Sequence, residues 1–374
     1  MNQSSLSPTL QASSRPAVAY INHQHLRHNY ALLKQQSGSA HIMAIVKANA
    51  YGHGMQAVAL TLADAGCQHF GVTDAREGLA LRQSLSSHQH TAEITLLSGL
   101  FDIDDAKCAA SAALTPLISA PHHIDWLQAA DFHGAVWIKI NSGMNRIGAS
   151  DPAQLITLCK QADISICGLL SHLACADQPD HPMNQQQMQT FTQICDQTAA
   201  DLPRSMLNSA GIICMPEHAM QIVRPGIALY GIEPIPSMPL GLKPVMTLSG
   251  SIMQLRDITV GEAVSYGASF LASHSMSIAT ISLGYADGVP RGLSNKGSVY
   301  IHGTRCPIIG AVCMDYSMVD VSCFAKAQDS IRVGEQVEFW GEHIAANEVA
   351  AQLHSISYTL FTAIGNRVQR IEVK

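Results

Sequence analysis

One lysine stands directly after a strongly apolar segment. Lys47 follows residues 41–46 and precedes several small residues and Tyr51, in the sequence MAIVKANAYGHG (residues 43–54). Removal of an ammonium group from water lowers its pKa, and the neutral amine can form an imine with an aldehyde. A lysine in this place can equally extend its charge past a strand end into solvent. Lys47 is therefore a candidate covalent anchor, with room beside it for a bulky ligand.

Two glycine-containing segments have the composition of a phosphate site. Residues 208–211 are Asn-Ser-Ala-Gly, residues 224–227 are Arg-Pro-Gly-Ile, and each segment follows or ends an apolar run. Such loops bind phosphate through backbone N–H groups and a helix N-terminus. Ser209 is also well placed to cap the helix that follows it, and one serine can serve both purposes.

Four basic side chains follow other apolar runs. Lys139 and Arg146 belong to KINSGMNRIG (residues 139–148), His172 to SHLACAD (residues 171–177), and Arg224 to the second glycine-containing segment. Each has a structural interpretation, because an arginine at a strand end often pairs with a carboxylate. Their shared position at strand ends, where barrel proteins build their sites, makes them functional candidates together.

The elements that must position these residues form a regular pattern. Eight short apolar runs alternate with amphipathic segments, and strands of this continuous kind are typical of a parallel sheet covered on both faces. The predicted strands are residues 41–46, 69–73, 94–97, 114–118, 135–140, 166–171, 205–207 and 222–229. Asn22, Asp74 and Asp151 are predicted to open helices. The α/β pattern predicts a (β/α)8 TIM-type barrel.

The pattern changes after residue 234. Residues 235–244, IPSMPLGLKP, contain three prolines and a glycine and predict a linker. Alternating strands follow at residues 247–255, 277–283 and 336–340, with one short helix at 347–353 and a last strand near 367–373. We therefore predict a polar tail over residues 1–15, a barrel over 16–240 and a mainly β domain over 241–374.

Composition limits the possible partners. Hydrophobic residues make up 47% of the chain and charged residues 13%, the net charge is −6, and the basic residues are scattered. These values argue against nucleic acid or an anionic membrane as a partner. The N-terminal residues lack the features of a signal peptide, so we expect a cytoplasmic location. The ten cysteines include no CxxC pair and no zinc-ligand spacing, which predicts reduced thiols and no metal site.

Taken in order, the segments resemble alanine racemases. The resemblance rests on VKANAYGHG, KINSGMNRIG, SHLACAD, NSAG, VRPGIALYG, VSYGASF, LGYADG, CMD and ISYTLFTAIGNRV, and extends over nearly everything from Pro16 onward. It implies a fold III pyridoxal-phosphate enzyme that racemises alanine and acts as a homodimer with shared active sites.

The resemblance also implies a role for each candidate residue. Lys47 matches the imine lysine and one catalytic base, and Tyr266 matches the second base, which comes from the partner subunit. Arg224 faces the pyridine nitrogen with His172 behind it, Arg146 and the Met314 backbone hold the substrate carboxylate, and Lys139 matches a lysine that can be carbamylated. The remaining cofactor ligands are Tyr51, Asn208, Ser209, Gly226, Ile227 and Tyr358.

Two bases are what racemisation requires, since a proton leaves one face of Cα and another arrives at the opposite face. The chain departs from the usual family pattern at Asn141, often Asp, and at Ala311, often Arg. Neither position adjoins the two bases. Both leave turnover and substrate breadth open.

Other functions remain open at this stage. A serine or broad-specificity racemase of the same fold differs only in pocket size, which sequence shows poorly. A non-catalytic pyridoxal-phosphate carrier explains Lys47 and the phosphate segments but not Tyr266, Met314 or Tyr358. A decarboxylase of the same fold, and a barrel without cofactor, fit the ordered segments less well. Supply of a cell-wall precursor and breakdown of alanine are both possible roles.

Overall fold

A computed structural model of the protein describes residues 15–324 and 331–373. The described residues form two compact units: residues 23–243, here called the barrel unit, and residues 15–22 with 244–373, here called the β unit. Of the predicted tail, only Arg15 falls within the described residues.

The first strand belongs to the β unit. Strand β1 (Val18–Asn22) pairs antiparallel with residues 246–249 and parallel with residues 369–373. The predicted barrel domain began at residue 16, because a short apolar run carries no information about its distant pairing partner. Asn22, a predicted helix cap, is the last residue of this strand.

The barrel unit contains a closed parallel barrel of eight strands, as the alternating pattern predicts. Each strand pairs with its neighbour along the chain, and the last pairs with the first through His41 and Ile222. The strands are β2 (His41–Ile45), β3 (His69–Val72), β4 (Glu93–Leu96), β5 (Thr115–Ile118), β6 (Ala135–Lys139), β7 (Ser165–Leu170), β8 (Arg204–Asn208) and β9 (Ile222–Arg224).

Helices connect these strands. They are α1 (His23–Gln36), α2 (Lys47–Tyr51), α3 (Met55–Asp64), α4 (Ala75–Ser87), α5 (Ile103–Ser111), α6 (Pro121–Ala129), α7 (Pro152–Gln161), α8 (Pro182–Thr198) and α9 (Ser209–Cys214), with 3-10 turns at Pro216–His218 and Ile227–Tyr230. Asp74 and Asp151 cap α4 and α7 as predicted.

The predicted linker is tied to the barrel unit. The Glu233 carboxylate accepts hydrogen bonds from the backbone N–H groups of residues 240, 241 and 242. The buried Asn29 amide pairs with both backbone groups of Lys243 at 2.8 Å. The proline-rich composition therefore marks an irregular segment whose backbone groups are satisfied by two polar side chains.

The β unit is built on an eight-stranded sheet. Besides β1, the strands of the unit are β10 (Met246–Ile258), β11 (Ala263–Val264), β12 (Phe270–Leu271), β13 (Met276–Ile281), β14 (Ser298–Ile301), β15 (Thr304–Pro307), β16 (Ser317–Asp320), β17 (Gln336–Trp340) and β18 (Gln369–Val373), of which β11 and β12 form a separate hairpin. The 3-10 turns are Tyr266–Ala268, Tyr285–Asp287, Arg291–Leu293 and Ser322–Phe324.

Two short helices complete the β unit. Helix α10 (Ala346–Gln352) matches the predicted one, and α11 (Ser357–Thr362) was not predicted. Six residues are too few to show helical periodicity. All ten cysteines are free thiols. No helix in the described part of the chain has the length and apolarity needed to cross a membrane.

Candidate active site

Lys47 begins a turn of unusual handedness at the end of β2. The four residues that follow, Ala48 to Tyr51, all have φ between 51° and 54°. The left-handed conformation costs an L-residue roughly 1–2 kcal/mol. Hydrogen bonds offset part of this cost: Gly52 N–H donates to Ala48 O, and the Asn49 side chain accepts from Met55 N–H at 2.8 Å. The turn reverses the chain immediately after Lys47.

The ends of β8 and β9 form a tight cradle. Ser209 accepts hydrogen bonds at its Oγ from the backbone N–H of Gly226 at 2.8 Å and of Ala228 at 3.3 Å. Asn208, not Ser209, caps α9 by accepting from Gly211 N–H, which corrects the predicted capping role. A Cβ at position 226 would lie 2.6 Å from the Tyr51 hydroxyl oxygen. The cradle therefore requires glycine there and brings Tyr51 to the same place.

Tyr230 supports this cradle from below. It is fully buried, its hydroxyl donates to Ile45 O at 2.8 Å, and its ring lies 5.0 Å from that of Tyr51. It thereby joins the segment after β9 to the end of β2, where Lys47 follows. The sequence offered one signal for it, a tyrosine inside an apolar run.

Arg224 is a buried cation bonded to neutral groups. Its guanidinium donates to Ser205 Oγ and Ser171 O, both at 2.5 Å, and lies 3.2 Å from His172 Nδ1. Burial lowers the pKa of Arg224 to about 9, which leaves it charged at neutral pH. Its partners at these distances include no carboxylate, so its charge is available to an electron-rich group. The sequence analysis missed Ser205, a buried serine among apolar neighbours.

The positive charges at this barrel end act on one another. Burial, and then Arg224, Arg146 and Lys47, hold the pKa of Lys139 well below its usual value. Burial is also the main cause that lowers the pKa of Lys47, with Arg146 next. His172 has its pKa lowered well below the ordinary value by burial and the same cations, so it is neutral. An anion bound here would relieve this repulsion.

Arg146 lies on an exposed loop that Asn141 organises. The Asn141 Oδ1 accepts from the N–H groups of Gly143 and Asn145, and its Nδ2 donates to Asn145 Oδ1 at 2.8 Å. An aspartate lacks that Nδ2 donor. The departure from the family pattern at 141 therefore changes how this loop is held.

Gln187 joins two of the loops and was missed by the sequence analysis. The buried amide donates to His172 O at 3.0 Å and to Ser142 Oγ at 3.4 Å, and accepts from Ala174 N–H. Ser142 in turn lies 2.8 Å from Ser171 Oγ. A glutamine inside an amphipathic helix gives no local sign of such a role.

Within the β unit, Tyr266 projects from the hairpin turn between β11 and β12. The preceding Ser265 has φ 67°, and its hydroxyl donates to Ala311 O at 2.7 Å. Tyr266 itself is 74% exposed. A buried apolar cluster that includes Val264 and Ile309 supports the turn from beneath. The turn therefore presents the Tyr266 phenol to solvent from a well-packed support.

Met314 and Tyr358 also lie at the surface of the β unit. Met314 is 52% exposed, and within the described residues no hydrogen bond uses its backbone N–H. Tyr358 is 38% exposed on helix α11. Their assignment to the barrel site, like that of Tyr266, stays a prediction.

Comparisons with known proteins agree with the ordered segments. Residues 21–234 match the family model "Alanine racemase, N-terminal domain", and residues 245–372 match "Alanine racemase, C-terminal domain". The chain belongs to the alanine racemase family. An alanine racemase from Stutzerimonas stutzeri is 37% identical over 95% of this chain and 99% of its own length.

Solved alanine racemases have the same fold. The biosynthetic enzyme from Pseudomonas aeruginosa is 35% identical with a TM-score of 0.86, over 96% of this chain and all of that one. The enzyme from Bartonella henselae, solved with covalently bound pyridoxal phosphate, is 33% identical with a TM-score of 0.87, over 96% of this chain and 99% of that one. The barrel followed by a mainly β domain is thus the fold of this family.

The residues present at the barrel end fit pyridoxal phosphate. The phosphate of this cofactor needs a cradle with no side chain at position 226. Its ring nitrogen needs a hydrogen-bond donor that is not paired with a carboxylate, and its aldehyde needs an amine of lowered pKa. The cradle at Ser209, the buried Arg224 and Lys47 supply these three features at one end of the barrel, where positive charge is in excess.

Proposed function

We propose that the protein interconverts L-alanine and D-alanine with pyridoxal phosphate as cofactor. The observation that carries the proposal is the cluster of basic side chains at the barrel end. Burial, Arg146 and Arg224 lower the pKa of Lys47, and burial and the same cations lower the pKa of Lys139. Family membership supports the reaction, since relatives that match 95% of this chain are named alanine racemase.

Each cofactor ligand has its place in this proposal. Lys47 would hold the cofactor through its amine, and Arg224, supported by His172, would bind the ring nitrogen. Tyr51, Ser209, Gly226, Ile227 and Tyr358 would bind the phosphate, and Asn208 would complete the set of cofactor-binding residues. When bound, pyridoxal phosphate withdraws electrons from the amino acid and so acidifies its Cα–H bond. The Arg224 guanidinium does not give up its proton. The ring nitrogen would therefore stay unprotonated, and proton transfer would be confined to Cα.

Two side chains exchange protons with Cα. Once the amino group of the substrate has displaced it from the cofactor, the free amine of Lys47 would accept or donate the proton on one face, and its lowered pKa makes the neutral amine more abundant. Tyr266 of the partner subunit serves the opposite face. The exposure of Tyr266 in the single chain supports a homodimer, because a base works best where water is excluded.

The substrate carboxylate is held by Arg146 and by the Met314 N–H of the partner subunit. Lys139 orients Arg146 after carbamylation, in which its neutral amine adds to carbon dioxide, forms the N–C bond and releases one proton. Burial and the neighbouring cations lower the pKa of Lys139, which favours the neutral amine that this addition needs, and the same cations favour the negative product.

An assay of the purified protein tests the function. We expect D-alanine from L-alanine, with slower or no reaction of L-serine and larger amino acids, measured with a stereospecific oxidase. Tyr266→Phe should lower kcat by about a thousandfold, since general acid–base groups contribute 10²–10⁴. A cofactor-loaded protein that leaves L-alanine unchanged would exclude the racemase and leave a carrier. Full activity of Tyr266→Phe would exclude the two-base scheme alone.

A further inference from the structure

One buried carboxylate in the β unit binds two arginines. Asp287, with no exposed side-chain surface, accepts from Arg15 Nη2 at 2.9 Å and from Arg367 Nε at 2.7 Å. It also accepts from Gly284 N–H at 2.9 Å. Asp287 and Arg367 belong to the ordered segments LGYADG and ISYTLFTAIGNRV, and none of the roles assigned above uses them. A buried ion cluster of this kind costs desolvation energy, so it calls for an explanation beyond stability.

The two arginines reach from Asp287 to the loop that carries Met314. Arg15 Nη2 donates to Asp315 O at 2.8 Å, and Arg367 Nη2 donates to Met314 O at 3.3 Å. Arg367 Nη2 also binds the Asp315 carboxylate at 2.7 Å. The cluster thus spans three distant parts of the chain and ends on residues 314 and 315.

The same loop is held by the backbone of the Asp287 turn. Tyr285 N–H donates to Cys313 O at 2.9 Å, and Ala286 N–H donates to Met314 O at 3.0 Å. A Cβ at Gly284 would lie 2.4 Å from both of these carbonyl oxygens, so only glycine permits the approach. The carbonyl groups of residues 313, 314 and 315 are therefore all bonded.

The Met314 N–H is among the backbone donors of this loop that have no hydrogen-bond partner within the described residues. The Cys313 N–H donates to Tyr316 O, whereas the Met314 N–H makes no hydrogen bond within the described ranges. With three consecutive carbonyls restrained, the peptide plane that carries the Met314 N–H cannot rotate freely. A fixed, unpaired N–H beside an exposed side chain is a preorganised donor for an anion.

We infer that Asp287, Arg15 and Arg367 are positioning residues for the Met314 amide, and thereby set the affinity for the substrate carboxylate. This inference rests on the proposed function. The cluster does not touch the substrate, and it acts by holding the loop from behind. Because the carboxylate is bound alike in the ground state and in the transition state, loss of the cluster should raise KM and leave kcat nearly unchanged.

Arg367 is the residue to change, since its side chain is 38% exposed and its loss leaves Arg15 on Asp287. We expect Arg367→Gln to raise KM for alanine by about tenfold in both directions, because a small displacement of a positioning group has effects of this size or larger. Propionate, which carries the carboxylate without the amine, should bind about tenfold more weakly, as measured by competitive inhibition. Visible absorbance should show that cofactor content is unchanged.

Arg370→Gln is the matched control. Arg370 lies three residues further along and donates to the carbonyl oxygens of Ile364, Gly365 and Val368, outside the Met314 loop. Its variant should keep the KM and the propionate inhibition constant of the wild type. The conservative Arg367→Lys retains a cation between Asp287 and Asp315, and should restore part of the affinity.

The outcomes separate the inference from the proposed function. If the wild-type protein racemises alanine but Arg367→Gln leaves KM and propionate inhibition unchanged, the cluster is only structural and the inference fails. It also fails if Arg370→Gln raises KM equally. If Arg367→Gln does not fold, the Arg367→Lys values decide in the same way. If the wild-type protein has no racemase activity, the proposed function itself is wrong, and the inference falls with it.

Discussion

Lys47 has a lowered pKa for two distinct reasons, and they define its environment. Burial is the first reason and the positive charge of Arg146, with a smaller effect of Arg224, is the second, while the Glu77 carboxylate acts in the opposite direction. Glu77 is itself engaged, since it accepts from Thr73 N–H at 2.8 Å. The amine is therefore neutral at lower pH than an ordinary lysine, which is the state that an aldehyde requires.

Gly226 allows a direct test of the cradle. Gly226→Ala should weaken pyridoxal phosphate binding by about tenfold, because a new methyl group 2.6 Å from the Tyr51 hydroxyl must displace it. Titration of the apoprotein, followed by visible absorbance, measures this affinity. In a Tyr51→Phe background the clash loses its nearest atom, so the same alanine should cost less. Equal effects in the two backgrounds would contradict the contact.

At the scale of elements, Lys47 stands at the junction between β2 and a left-handed turn. Four consecutive residues in the left-handed conformation store strain beside the candidate site, as local strain often does. Helix α3 begins four residues after Tyr51, and its first N–H is capped by the Asn49 side chain. Strand, reversed turn and helix thus act as one positioning element.

A pair of glycine substitutions tests the strain. Ala48 is exposed and has a positive φ. Ala48→Gly should raise the free energy of unfolding by up to about 1 kcal/mol, since glycine removes the cost of positive φ. Ala57→Gly, within right-handed α3, should lose about 1 kcal/mol instead. Urea unfolding of both variants measures the difference. A loss at Ala48 equal to that at Ala57 would show that the turn is unstrained.

At the scale of the whole molecule, the candidate residues are divided between two units of the chain. Lys47 belongs to the barrel unit, whereas Tyr266 and Met314 lie exposed on the β unit. In the proposed homodimer, each active site takes its second base from the other subunit. This sharing makes activity a property of the assembly.

Subunit complementation tests the shared site. Lys47→Ala and Tyr266→Phe should each be nearly inactive, but a mixed dimer contains one site with both bases intact. Random pairing in a two-fold dimer should then restore about one quarter of the wild-type activity on co-expression. Light scattering on the same samples measures the assembly. Activity no greater than the sum of the two variants would show that both bases come from one chain.

Much of the architecture followed from the sequence by itself. A strand covered on both faces must be apolar along its length, so the eight barrel strands were visible as runs, and the caps at Asp74 and Asp151 as local signals. Lys47 could be identified as a candidate from the sequence because it directly follows one of these apolar runs.

Only the tertiary structure decided which distant residues meet. Strand β1 joins the β unit, Ser209 bonds to Gly226 rather than capping its helix, and Ser205 and Gln187 hold Arg224 and the His172 loop. Asp287 meets Arg15 from 272 residues away. Such contacts depend on the path of the chain between the partners, and no local pattern of residue types records that path. The contacts that position the Met314 amide could be identified only from the tertiary structure.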